Sequence, residues 1–104
     1  MVTKALIVSL EAKPGKEQEV ADLLRAARPL VDDEPQTVAW FALRTGTSEF
    51  AIVDAFPDEA GRTAHLEGAV AAALGKRAGD LLAWPPTIEP VDVVSAKLPD
   101  GPSD

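Results

Sequence analysis

Residues 37–44 and 49–56 read as two consecutive strands, and both are apolar on both faces. Val38, Trp40 and Ala42 alternate with Ala39, Phe41 and Leu43, while Phe50, Ile52 and Phe56 alternate with Ala51, Val53 and Ala55. Successive side chains of a strand point to opposite faces of its sheet. A layer of helices covers one face of a sheet, so a half-solvated sheet should alternate apolar with polar residues. These two strands do not. The chain is therefore expected to bury one face of its sheet under its own helices and the other against a second copy of itself, in a two-fold homodimer. Thr45-Gly46-Thr47-Ser48 reads as the hairpin loop between the two strands.

The remaining elements frame this hairpin. Residues 4–11 form a first strand, with Leu6, Val8 and Leu10 on one face, closed by the turn Lys13-Pro14-Gly15-Lys16. Val20, Leu23, Leu24, Ala27, Leu30 and Val31 then follow one face of a helix that Pro29 would loosen near its end. Asp58 caps a second long helix from 59 to about 74, which Gly75 can end; a short third helix covers 76–83. A last strand spans 87 to about 97, with Pro90 marking an edge position or an irregular start. The order β-α-β-β-α-(α)-β predicts an α+β domain, the ferredoxin-like split βαβ with a four-stranded antiparallel sheet, over residues 1–97. Residues 98–104, LPDGPSD, read as a disordered tail.

Composition narrows the function. A net charge of −7 argues against nucleic acid and against an anionic membrane surface, and no apolar run is long enough to span a bilayer. The absence of cysteine excludes disulfides, zinc–thiolate sites and iron–sulfur clusters, and fits the cytoplasm. Neither a dinucleotide fingerprint nor a P-loop is present, so no nucleotide or flavin is expected as a cofactor. Asp32-Asp33-Glu34 is an acidic cluster with no further ligand nearby, which reads as a solvated turn, with no metal.

The stretches EAKPGKEQEVADLLRAARPLV, EPQTVAWFALR, FAIVDAFPDEAGRTAHLEGAV and TIEPVDVV, in that order, resemble the antibiotic biosynthesis monooxygenase superfamily, the dimeric α+β-barrel proteins. The resemblance spans about residues 4–97. It implies a homodimer and, from characterised members, cofactor-independent oxygenation of phenolic polycyclic or quinol substrates by O₂. It does not carry over intact. Ala69 stands where many members have a second histidine, and Gly75 stands near the histidine ligand of haem-degrading relatives. The chain also contains no asparagine and no tyrosine. Haem degradation is therefore not expected.

His65, the single histidine, is the one unperturbed side chain suited to proton transfer near neutral pH. It is the candidate catalytic base or hydrogen-bond partner, facing a hollow between the second long helix and the sheet; the competing reading is a half-exposed residue packed on Phe56 or Trp40. Asp54 interrupts the apolar face of Phe50, Ile52 and Phe56, so it needs a partner: Arg44, Arg62 or His65. Paired with His65 it would raise the ring's basicity and orient it; otherwise it is a structural ion pair or an edge residue in water. Trp40, Phe41, Phe56 and Trp84 are candidate walls of an aromatic pocket, or simply core. Arg44 and Arg62 are candidate contacts for an anionic intermediate, or solvated charges. Three functions fit: an oxygenase of a small aromatic, anthrone-like or quinol substrate; a non-catalytic binding or assembly protein; and a non-oxidative isomerase or cyclase using the same base.

Overall fold

The computed structural model describes residues 1–99; the expectation of a disordered tail falls, from residue 100 onward, outside them. Eight elements follow one another: β1 (Lys4–Glu11), α1 (Glu17–Ala26), α2 (Arg28–Asp32), β2 (Ala39–Arg44), β3 (Glu49–Phe56), α3 (Glu59–Leu66), α4 (Ala69–Leu81) and β4 (Thr87–Asp92). The strands form one antiparallel sheet in the order β2-β3-β1-β4, the expected ferredoxin-like arrangement.

The pleat sorts the side chains as their alternation requires. Leu6, Val8 and Leu10 of β1 share the helix-facing side with Phe50, Ile52, Asp54 and Phe56 of β3, and Val20, Leu24 and Leu81 pack onto them. The opposite side carries Ala39, Phe41 and Leu43 beside Ala55, Val53 and Ala51, then Ala5, Ile7 and Ser9. Phe41 and Leu43 are exposed there. Trp40 points the other way and bridges the main core to a smaller cluster of Ala27, Val31 and Val70.

Two helical expectations need correction. The first helix does not bend at Pro29 but stops at Ala27 and restarts as α2, with proline in the opening turn. Proline has no N–H to give back to the preceding turn, and its fixed φ suits a helix start. The second long helix breaks at Gly68, not at Gly75. Gly68 is extended (φ −95°, ψ −170°) and caps α4, which runs unbroken through Gly75 and Gly79. A Cβ on Gly68 would lie 3.1 Å from both Ala64 O and Glu34 Oε2, whereas at Gly75 and Gly79 it would meet nothing within 4 Å. The discriminating feature is close approach by a neighbour, which spacing along the chain does not reveal.

Asp58 does cap α3, accepting the Gly61 N–H at 2.9 Å. Gly15 takes the left-handed conformation (φ +85°) that the turn before α1 demands and glycine adopts without cost. The last strand is shorter than expected and ends at Asp92, with Pro90 on the sheet's edge. Among the described residues, no helix is long and apolar enough to cross a membrane.

Candidate functional site

The acidic turn after α2 positions the first member of the site. Backbone bonds from Glu34 N–H to Val31 O (2.9 Å) and from Thr37 N–H to Glu34 O (3.1 Å) fold the chain back toward the sheet. The Thr37 hydroxyl donates to Glu34 Oε1 at 2.8 Å. Glu34 is thereby held inward, against the expectation of a solvated acidic cluster; Asp32 does stay exposed, paired with Arg28.

His65, near the C-terminal end of α3, meets that carboxylate. Its Nδ1 lies 2.6 Å from Glu34 Oε1, and its Nε2 lies 3.0 Å from Asp54 Oδ2. The Asp54 contact is close but poorly aligned, so both Asp54 oxygens lack a true hydrogen bond although the residue is only 1% exposed. The expected pairing of His65 with Asp54 is present, then, as a 3.0 Å contact between Nε2 and the carboxylate. Phe56, wholly buried, fills the space beneath α3, its ring centroid 5.3 Å from that of His65.

Burial alone would push the imidazole pKa down, but the Asp54 and Glu34 carboxylates outweigh it and hold the ring above its ordinary 6.5. His65 is therefore a buried imidazole spanning two carboxylates, with Nδ1 against Glu34 and Nε2 against Asp54 and its protonated form favoured by both. The residue expected as a base facing an open hollow has its two ring nitrogens turned to Glu34 and Asp54.

The pairing has a pH signature. The folded pKa exceeds the unfolded value, so the stability it contributes is complete below about pH 6.5 and is lost as the pH rises through the folded pKa. Urea midpoints measured from pH 6 to 9 should fall in the wild-type protein, and the fall should shrink in Asp54→Asn.

The remaining candidates separate. Trp40 sits opposite Asp54 in the β2–β3 ladder, half-buried, with its indole N–H enclosed and without a partner. Phe41 lies on the far side of the sheet, 57% exposed. Arg62 donates to Ala5 O (3.3 Å) and Val91 O (3.0 Å) and pairs with Glu59, stitching α3 to β1 and β4 away from the imidazole. Arg44 stacks over Phe50 at 4.8 Å from the ring centroid. Trp84 is exposed beside Glu11, at the other end of the sheet.

A half-open cleft of about 650 Å³ adjoins the buried triad, lined by Glu34, Thr37, Val31, Trp40, Arg28 and Leu98 among others. Its volume is ordinary for a small-molecule site, about 300–1,000 Å³. Of the triad only Glu34 reaches it; His65 and Asp54 lie behind. Glu34 is the residue that sequence reasoning missed. It stands 31 positions from His65, with no local motif to tie them.

NE2512 of Nitrosomonas europaea, a protein of unknown function, is 55% identical to this chain over 97% of it and 98% of that chain, with a TM-score of 0.95. The chain belongs to the family of NE2512. It also carries the antibiotic biosynthesis monooxygenase fold. A proposed antibiotic biosynthesis monooxygenase from N. europaea superposes with a TM-score of 0.79 at 18% identity, over 88% of this chain and 99% of its own. Another from Caulobacter crescentus superposes at 0.77 and 21% identity, over 90% and 92%. At such identities the likeness is one of fold. No family model and no curated protein matches the chain.

Proposed function

We propose that the protein is a cofactor-independent oxygenase of a small aromatic substrate of the anthrone type, bound in the Trp40–Glu34 cleft. The observation that carries this reading is a cleft-lining carboxylate, Glu34, held in place from behind by the buried His65 ring. Glu34 Oε1 already accepts from His65 and Thr37, so Oε2, which lies beside Gly68, is the oxygen that takes the substrate's proton in this reading. His65 acts as a positioning residue for Glu34.

The chemistry balances without a cofactor. The substrate anion passes one electron to O₂, and the radical pair recombines into a C–O bond, giving a peroxide. Loss of the remaining C–H proton with cleavage of the O–O bond releases water and leaves a carbonyl. The methylene carbon supplies all four electrons, so no external reductant enters. The protein's part is deprotonation, positioning and exclusion of water. Oxygen uptake with an anthrone, one O₂ consumed per carbonyl formed, tests the reading. Turnover that proceeds equally well under nitrogen would point to an isomerase or cyclase instead.

A second reading is favoured by the engagement of both His65 nitrogens: a binding protein in which Glu34–His65–Asp54 only locks the fold. It is distinguished by an aromatic ligand that binds and is never consumed.

In either case we propose a homodimer through the open sheet face, which Phe41, Leu43, Val53 and Ile7 make apolar. Burial on the order of 600–800 Å² per chain is ordinary for such an interface. Light scattering at micromolar concentration should give twice the 10.9 kDa chain mass; a single-chain species would contradict it.

A further inference from the structure

On the other side of Trp40 lies a second cleft, about 420 Å³, between α1 and β2. Its apolar lining includes Leu24 of α1, Trp40 of β2 and Phe50 of β3. Arg25 of α1, Arg28 of α2 and Arg44 of β2 line it as well. Three of the chain's ten basic residues thus converge on one cleft from three elements, in a protein of net charge −7.

The guanidiniums are not used up by their neighbours. Arg25 meets Asp22 through Nη1 at 3.4 Å, and Arg28 meets Asp32 through Nε at 2.8 Å, both on exposed helix surface where such pairs hold weakly. Arg44 gives Nη1 to Thr47 O at 3.2 Å and lies over the Phe50 ring. Each guanidinium carries five N–H donors in a planar fork suited to a carboxylate. The cleft therefore offers an aromatic and aliphatic floor with a cationic rim.

We propose that the α1–β2 cleft is a binding site for a small aromatic carboxylate, its ring against Trp40 and its carboxylate on Arg25 and Arg44. The site is separate from the oxygenation reading, because none of Glu34, His65 and Asp54 lines it. Occupation would press on Trp40, the wall it shares with the Glu34 cleft.

Calorimetric titration tests this with three probes: naphthalene-2-carboxylate, the uncharged naphthalene-2-carboxamide, and inorganic phosphate. Charge-assisted hydrogen bonds should make the carboxylate bind roughly tenfold or more tightly than the carboxamide. The preference should vanish in Arg25→Gln/Arg44→Gln, whose substituted residues line this cleft and not the other, and should persist in Glu34→Gln. Equal binding of acid and amide to the wild-type protein would overturn the proposal without reference to any variant. So would phosphate binding as well as the naphthoate, which would show a charge site with no use for the ring. Loss of the acid preference in Glu34→Gln would also overturn it, by moving the ligand to the other cleft.

Discussion

Replacing His65 by alanine should destabilise the protein by about 3–5 kcal/mol, because it leaves the buried Asp54 carboxylate without an opposite charge. Asp54 is 1% exposed and neither oxygen has a hydrogen bond to fall back on. For a domain of this size the loss amounts to a fall in Tm on the order of 15 °C. The imidazole also packs on Phe56, so part of the effect is lost contact. A double-mutant cycle separates the two. Asp54→Ala/His65→Ala should be markedly more stable than the two single losses added together, since it removes the stranded charge. Protein concentration must be held constant, because the proposed dimer would make Tm concentration-dependent. A single-variant loss below about 1 kcal/mol would mean that Asp54 is not buried as a charge.

Glu34→Gln should instead leave the fold intact and lower the turnover number for oxygen uptake by about 10²–10⁴-fold, the usual contribution of a positioned general base. The amide carbonyl can still accept from the Thr37 hydroxyl and from His65 Nδ1–H, which now donate to the carboxylate at 2.8 and 2.6 Å. Geometry is preserved while the proton acceptor is removed. KM should therefore change little, and the effect should appear in kcat. A variant that oxidises an anthrone at the wild-type rate would remove Glu34 from the chemistry.

Much of the fold was legible because local and long-range signals agreed. β1 and β3 were readable to the residue, since their alternation is bounded by clear turns and their partners are antiparallel neighbours. The Asp58 cap was readable because an aspartate after a strand end, followed by Glu59, has one good use. The helix breaks were less so. Gly75 looked like a terminator, but it lies on an open helix surface where nothing forces a stop. Gly68 sits at the break, where Glu34 and the end of α3 press so close that a Cβ would meet them at 3.1 Å.

The candidate site was half legible for the same reason. An aspartate on an apolar strand face and a lone histidine at the edge of an apolar helix stripe announce that each needs a partner, and the structure brings them together. The third member could not be read this way. Glu34 sits in a run of acids before a proline, a pattern that ordinarily means a solvated turn. Only the packing of the α2–β2 turn against α3 carries it to the imidazole. Arg62 shows the converse: one turn from His65 on the same helix, it is drawn to the carbonyls of β1 and β4 instead.

Because the chain has a single histidine, its imidazole gives one unambiguous set of ¹⁵N signals, and their titration is the most direct measurement of the site. The titration midpoint should lie above 6.5 and should fall when Glu34 is changed to Gln. A midpoint at or below 6.5, or one indifferent to Glu34, would contradict the linked Glu34–His65–Asp54 array on which the proposed chemistry stands.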